Sequence, residues 1–185
     1  MEPFAQMGMT DAETFSGGPD ADPDTAPPPK GLSGFGPGVI IETAEGPQPV
    51  EWLRAGDLLL TRDNGYKPLI WVGRSALPKG QRPVRIYAGA LGKRTPEHDL
   101  IVSPHHHMLL KSTQIELHFA HAEALVPAAD IVTEAEADFT PPRPEYALCH
   151  LLMENHEVLL AEGVWLESLW PDPAILSLLD RPAQN

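Results

Sequence analysis

Histidine is the residue type with the greatest capacity for chemistry in this sequence, because its imidazole titrates near neutral pH and binds transition metals. Eight histidines occur, and His105, His106 and His107 are consecutive. In a strand, His105 and His107 would share one face, where Asp99 or Glu157 could complete a metal site. The ligand spacing matches no zinc signature. The residues therefore predict no metal and no other cofactor, with His105 and His107 as weak metal candidates.

Nucleophilic side chains give a weaker signal than the histidines. A serine hydrolase with a strand-turn-helix elbow needs a Gly-x-Ser-x-Gly motif, and the sequence has none. The only cysteine, Cys149, lies in an apolar run, where a buried thiol is typically an inert small hydrophobe. A single cysteine also excludes an internal disulfide.

The charge balance restricts the partners. The chain of 185 residues has 26 acidic and 13 basic residues and a net charge of -13. No cluster of basic residues could neutralise a phosphate backbone, so we expect no nucleic-acid partner. No apolar run approaches the roughly 20 residues of a membrane span, and no Sec-type leader is evident. We therefore expect no membrane partner, and a location in the cytoplasm or export without such a leader; the sequence gives no indication of the oligomeric state.

The elements that must position these residues fall into three regions. Residues 1–33 are acidic and rich in proline, which is typical of a disordered leader. Residues 34–169 alternate short runs of β-branched and aromatic residues with turn residues, which predicts one all-β domain. Residues 170–185 are expected to form a short helix over 174–179, capped by Asp172 and Pro173, and a tail.

Ten strands and one internal similarity are predicted within the middle region. Residues 51–61 resemble residues 123–133 at a constant offset. The match is short, and an internal duplication would account for it. The predicted strands cover residues 39–41, 58–61, 69–72, 84–87, 100–103, 108–111, 115–119, 147–153, 158–161 and 164–166.

Three sequence blocks, in this order, resemble the Hint domains of hedgehog and intein proteins. Residues 34–61 are similar to the family's Cys-Phe-x-Pro-Gly-Thr opening, Thr-x-x-Gly turn and Leu-x-x-Gly-Asp element. Residues 99–110 are similar to its Thr-x-x-His segment, as found in bacterial free-standing Hint proteins, with Ser103 and His106 in register. Residues 155–164 are similar to a hairpin around a further family histidine, here His156. The resemblance implies the Hint fold, a compact pseudo-twofold domain of many short strands.

The chemistry implied by the resemblance is an N-to-S acyl shift, in which a thiol attacks the preceding carbonyl and converts a peptide bond to a thioester. The substrate would be the chain's own Ser33–Gly34 peptide bond. The resemblance assigns His106 as the proton donor, Ser103 as its polar companion and His156 as a further site residue.

The sequence departs from this pattern where the chemistry starts and ends. Gly34 stands at the position of the family cysteine, and the hydroxyl of Ser33 is one residue away, which in a strand directs it to the opposite face. Inteins end the last hairpin with His-Asn, whereas this chain has Glu167-Ser168. Two functions remain open. The first is a self-processing domain, ancestral or residual, that would work through His106, Ser103 and His156, although the replacement of the nucleophilic cysteine by Gly34 predicts that its activity is lost. The second is a non-catalytic binding or accessory module that kept the scaffold after losing the nucleophile, with metal binding through the clustered histidines as one variant.

Overall fold

The computed structural model describes residues 32–77, 79–111, 123–132, 137–141, 143 and 147–173. These residues include a 3-10 turn at Val50–Trp52 and one short helix, α1, at Ala128–Ile131. The strands are β1 (Ile40–Thr43), β2 (Gly46–Pro49), β3 (Leu58–Thr61), β4 (Gly65–Ala76), β5 (Val84–Ile86), β6 (Leu100–Val102), β7 (His107–Lys111), β8 (Glu123–Pro127), β9 (Ala137–Phe139), β10 (Ala147–Met153), β11 (Val158–Ala161) and β12 (Val164–Glu167).

The strands form two antiparallel sheets, which confirms the all-β prediction. The larger sheet has nine strands in the order β10-β4-β3-β1-β11-β12-β7-β8, with β2 paired to β1. The smaller sheet has the order β6-β5-β9. Among the described residues, no helix has the length and apolar character needed to cross a bilayer.

Most strand predictions agree with the structure, and the clearest difference in length is β4. This strand runs from Gly65 to Ala76 because it pairs with two partners in succession: β3 along its first part and β10 along its second. The predicted strand at 115–119, the helix at 174–179 and residues 1–31 of the leader lie outside the described residues. Ser33, which the sequence assigned to the leader, is buried.

Two local expectations are wrong. Pro104 and His105 lie in a turn, and β7 begins at His107, so the consecutive histidines do not alternate across a strand. The stretches proposed as a duplication also differ in structure. Residues 51–61 contain the end of the 3-10 turn followed by β3, whereas residues 123–132 contain β8 followed by α1.

An extended segment at residues 34–36 connects the two sheets. The backbone of Phe35 exchanges two 2.8 Å hydrogen bonds with Cys149 of β10, and Gly36 donates a 2.7 Å hydrogen bond to the carbonyl of Ile101 in β6. A Cβ on Gly36 would lie 2.6 Å from the Ile101 side chain, so this close approach requires glycine. The Phe35 ring is 1% exposed and fixes the segment in the core.

Candidate functional site

The Ser33–Gly34 peptide unit is held from both sides by side chains of the body. His150 Nδ1 lies 2.8 Å from the carbonyl oxygen of Ser33. The amide nitrogen of Gly34 donates to Ser103 Oγ at 3.1 Å. These two contacts place a possible donor for a developing oxyanion and a hydroxyl group on the same peptide bond.

The tautomer of His150 follows from its second contact. Its Nε2 lies 2.7 Å from the hydroxyl oxygen of Ser75, and Nδ1 faces a carbonyl that can only accept. Nδ1 therefore carries the proton, and Ser75 donates to Nε2. Burial lowers the pKa of His150, against the opposing effect of the hydrogen bond to Ser33, so the ring is a neutral donor at pH 7.

His150 is a site residue that the motif comparison missed. The available signal is a single histidine inside the apolar strand Ala147–Met153, since a buried imidazole needs hydrogen-bond partners. Those partners, Ser33 and Ser75, are far away in the sequence, so the local pattern does not identify them.

Ser103 and His106 lie beside the same segment, as the resemblance implied. Ser103 Oγ also donates to the carbonyl of Leu32 at 2.8 Å. His106 is fully buried, with Nδ1 3.1 Å from the carbonyl oxygen of Gly34 and Nε2 2.9 Å from that of Glu167. His106 therefore contacts the carbonyl oxygen of Gly34. A proton donor for the Ser33–Gly34 bond would instead have to reach the amide nitrogen of Gly34.

The charge state of His106 is set by its surroundings. Burial lowers the pKa of His106, although the hydrogen bonds to Gly34 and Glu167 oppose that effect. A neutral imidazole has one N–H, so it donates to only one of the two carbonyls. Its ring also makes an edge contact with Phe35, at a centroid distance of 4.5 Å, in the extended segment at residues 34–36.

Glu167 forms a second cluster, on the other side of the segment. Its Oε1 accepts from Ser33 Oγ at 2.6 Å and from the Nδ1 and backbone nitrogen of His107 at 2.8 and 3.1 Å. Its Oε2 accepts from His156 Nε2 at 3.0 Å, and the His156 ring stacks on Trp170. Burial alone would raise the pKa of Glu167, but the hydrogen bonds from His156, Ser33 and His107 lower it to about 2.

His156 therefore belongs to the Glu167 cluster, where it contacts the carboxylate and Trp170. The metal candidates separate, since His105 is exposed in its turn and His107 is paired with Glu167. Across the described part of the chain, no group of three or more His, Cys, Asp or Glu residues is arranged to hold a metal ion. Cys149 is 1% exposed, and burial raises the pKa of its thiol, so it is a core residue.

Gly34 sits where little room remains for a side chain. A Cβ at this position would lie 3.0 Å from both His150 Cε1 and Leu148 Cβ. The His150 ring is hydrogen-bonded through both nitrogens, and Leu148 lies in a paired strand, so both side chains are held in place. A side chain at residue 34 therefore requires His150 or Leu148 to shift by a few tenths of an ångström.

The chain matches one family model and is similar to solved structures. The family model for the Hint domain matches residues 33–173, more than half of the chain. A crystal structure of the gp41-1 intein is similar at 14% identity and a TM-score of 0.44, over 74% of this chain and 98% of that one. A splice-inactive variant of the AceL NrdHF class 3 split intein is similar at 12% identity and a TM-score of 0.46, over 74% and 97%. No curated protein matches the chain.

The crowding at Gly34 gives a stability prediction. Gly34→Ala should lower the free energy of unfolding by about 1 to 2 kcal/mol, because overpacking outweighs the reduced entropy of the unfolded chain. Denaturant titration of both proteins measures this difference. A variant as stable as the wild type would show that His150 and Leu148 yield readily.

The buried imidazoles should titrate differently from an exposed one. As pH falls, His106 and His150 should stay neutral below the ordinary histidine value of 6.5, because burial lowers the pKa of each. His98 is the internal control, since its hydrogen bond to Glu162 raises its pKa. Two-dimensional NMR of the imidazole nitrogens follows all three, and it should also show the Nδ1–H tautomer for His150. Protonation of His150 above pH 6.5 would contradict the assignment.

The Glu167 carboxylate should contribute stability that depends on pH. Its folded pKa of about 2 lies below the unfolded value of 4.5. The contribution, about 3 kcal/mol, is therefore complete above pH 4.5 and is lost as pH falls from there towards 2. Glu167→Gln should remove it, so the difference in unfolding free energy between wild type and variant should shrink over that range.

A matched control for Glu167→Gln is Glu162→Gln, which alters another buried glutamate paired with a histidine, in the β11–β12 turn. Denaturant titrations at a series of pH values compare the two variants. A difference between wild type and Glu167→Gln that stays constant from pH 6 to pH 2.5 would be inconsistent with the low pKa.

Proposed function

Because this chain belongs to the Hint domain family, a family related to protein self-processing, we propose that it is a processing domain that binds its own Ser33–Gly34 peptide bond but lacks the nucleophile for the N-to-S shift there. The observation that carries the proposal is the double contact on that peptide unit, from His150 on its carbonyl oxygen and Ser103 on its nitrogen.

The groups that remain would suit acyl transfer. His150 donates to the Ser33 carbonyl oxygen, where negative charge would develop if the carbonyl carbon were attacked. Ser103 contacts the nitrogen that would leave. Both groups are almost completely buried, so they act in a medium of low dielectric constant where such contacts are stronger than in water.

The missing group is the thiol, and the exit step is also absent. Gly34 has no side chain, and its surroundings leave a Cβ only 3.0 Å from two neighbours. At the carboxy-terminal hairpin, the Ser168 hydroxyl accepts from the backbone nitrogen of Glu157 at 2.9 Å. A serine has no side-chain amide that could cyclise, so this chain would not complete a splicing reaction.

A second candidate is a non-catalytic module that uses the same contacts only to hold its amino-terminal segment. The tight packing of His150 and Leu148 on Gly34 favours it, because a retained reaction site would be expected to keep space for a nucleophile. The two candidates differ in whether the remaining groups still activate the peptide bond.

Restoring the nucleophile distinguishes them. We expect Gly34→Cys to gain cleavage between Ser33 and Gly34 in dithiothreitol, because a thioester formed at residue 34 is open to attack by an external thiol. The wild type and Gly34→Ala should stay intact at this bond. Intact-mass spectrometry identifies the fragments, and Gly34→Ala is the matched control because it adds the same Cβ without the thiol.

The outcomes separate clearly. A folded Gly34→Cys protein that resists thiol would favour the non-catalytic module. Cleavage of the wild type between Ser33 and Gly34 would overturn the proposal that the site has lost its nucleophile. His150→Gln in the Gly34→Cys background should slow cleavage by about 10- to 100-fold if His150 acts on the carbonyl oxygen.

A further inference from the structure

The contacts of Ser33 point to chemistry at the preceding bond, between Leu32 and Ser33. The Ser33 side chain is buried at 7% exposure, and its hydroxyl donates to Glu167 Oε1 at 2.6 Å. A short hydrogen bond to an ionised carboxylate increases electron density on the hydroxyl oxygen, which makes it a better nucleophile. The contacts of the Ser33–Gly34 peptide unit with His150 and Ser103 do not explain why a carboxylate lies beside this hydroxyl.

The carbonyl that this hydroxyl could attack also has a donor. Ser103 Oγ, which accepts from the Gly34 nitrogen, donates its own proton to the carbonyl oxygen of Leu32 at 2.8 Å. The Oγ of a serine is joined to the carbonyl carbon of the preceding residue through three intervening atoms, so attack closes a five-membered ring. Nucleophile, carboxylate acceptor and oxyanion donor therefore meet at one peptide bond.

We propose that Ser33 is the nucleophile of an N-to-O acyl shift at the Leu32–Ser33 bond, with Glu167 as the acceptor of its hydrogen bond and Ser103 as the donor to the Leu32 carbonyl oxygen. The inference rests on the proposed function for the family relationship, but it concerns a different bond and a different nucleophile. Its products are an ester between residues 32 and 33 and a free amino group on Ser33.

The step balances without any co-reactant. A bond forms between Ser33 Oγ and the Leu32 carbonyl carbon, and the bond between that carbon and the Ser33 nitrogen breaks. The Ser33 hydroxyl loses its proton as Oγ attacks and the departing nitrogen gains one, so the number of protons is unchanged. The resulting amine then takes a proton from solvent, because an α-amino group has a pKa of roughly 8.

Glu167 is fixed for this contact by the rest of its cluster. Donors from His107 and His156 hold both carboxylate oxygens, so the charge stays in place beside Ser33. Leu32 is 43% exposed, so an external nucleophile can reach the acyl group from solvent. The Glu167 carboxylate is thus buried, whereas the Leu32 acyl group is accessible to a trapping nucleophile.

The test uses the full-length protein and hydroxylamine, which traps an ester as a hydroxamate. We expect the wild type to be cleaved between Leu32 and Ser33, giving one fragment that ends in a Leu32 hydroxamate and one that begins with Ser33. Intact-mass spectrometry assigns the bond, since attack at the Asn64–Gly65 pair, another site of hydroxylamine cleavage, gives different masses.

Three substitutions should slow or abolish cleavage, and two should retain it. Ser33→Ala should abolish it, whereas Ser33→Thr, which keeps a hydroxyl, should retain measurable cleavage. Glu167→Gln and Ser103→Ala should each lower the rate by about 100-fold. Glu162→Gln is the matched control, because it alters a buried carboxylate remote from Ser33, and it should cleave at the wild-type rate.

Each result has a definite meaning. A folded wild type that remains intact at the Leu32–Ser33 bond, or cleavage there that persists in Ser33→Ala, would overturn the inference. Neither result affects the proposed function, which concerns the Ser33–Gly34 bond and is tested by Gly34→Cys with thiol. Circular dichroism confirms folding, and rescue by Ser33→Thr keeps the test valid if Ser33→Ala does not fold.

Discussion

The insertion of residues 34–36 between β6 and β10 is the constraint on which the site depends. Backbone hydrogen bonds from Phe35 to Cys149 and from Gly36 to Ile101 fix the segment against both sheets. This pairing sets the positions of the two preceding peptide units without any flexible side chain. Strand pairing fixes a backbone far more tightly than a surface loop does, so the side chains of Ser103, His150 and Glu167 meet peptide units whose positions are already set.

The groups that contact Ser33 and Gly34 differ in charge: His150 is neutral and Glu167 is ionised. On one side, burial keeps His150 neutral and lets it donate to a carbonyl. On the other, Glu167 stays ionised because His156, Ser33 and His107 supply hydrogen bonds that outweigh the cost of burial. A buried charge without those partners would cost several kcal/mol, so the cluster has to be complete for the fold to hold it.

The sequence predicted the strands well because their residues carry the signal locally. β3, β10 and β11 were predicted with their observed bounds, and Ser103 and His106 were placed beside the amino-terminal segment by resemblance alone. The rest depended on contacts between residues remote in the chain. The partners of the His150 and Glu167 side chains are Ser33, Ser75, His107 and His156, which lie in four separate stretches of the chain. Pro104 and His105 lie in a turn, so the alternation of a strand does not apply to the consecutive histidines.

Gly34 and Ser33 show why the proposed loss of a nucleophile at residue 34 need not remove every reactive group from the segment. Adjacent residues of an extended segment direct their side chains to opposite faces, so the position of Gly34 faces His150 and Leu148 while Ser33 faces Glu167. Neighbouring side chains crowd the Gly34 position, whereas Ser33 is hydrogen-bonded to a buried carboxylate. A neutral hydroxyl is a weaker nucleophile than a thiolate, so it depends more strongly on an acceptor for its proton. Glu167 is held by donors from His107 and His156 and contacts Ser33 through the same carboxylate, so the proposed nucleophile depends on the whole cluster around Glu167.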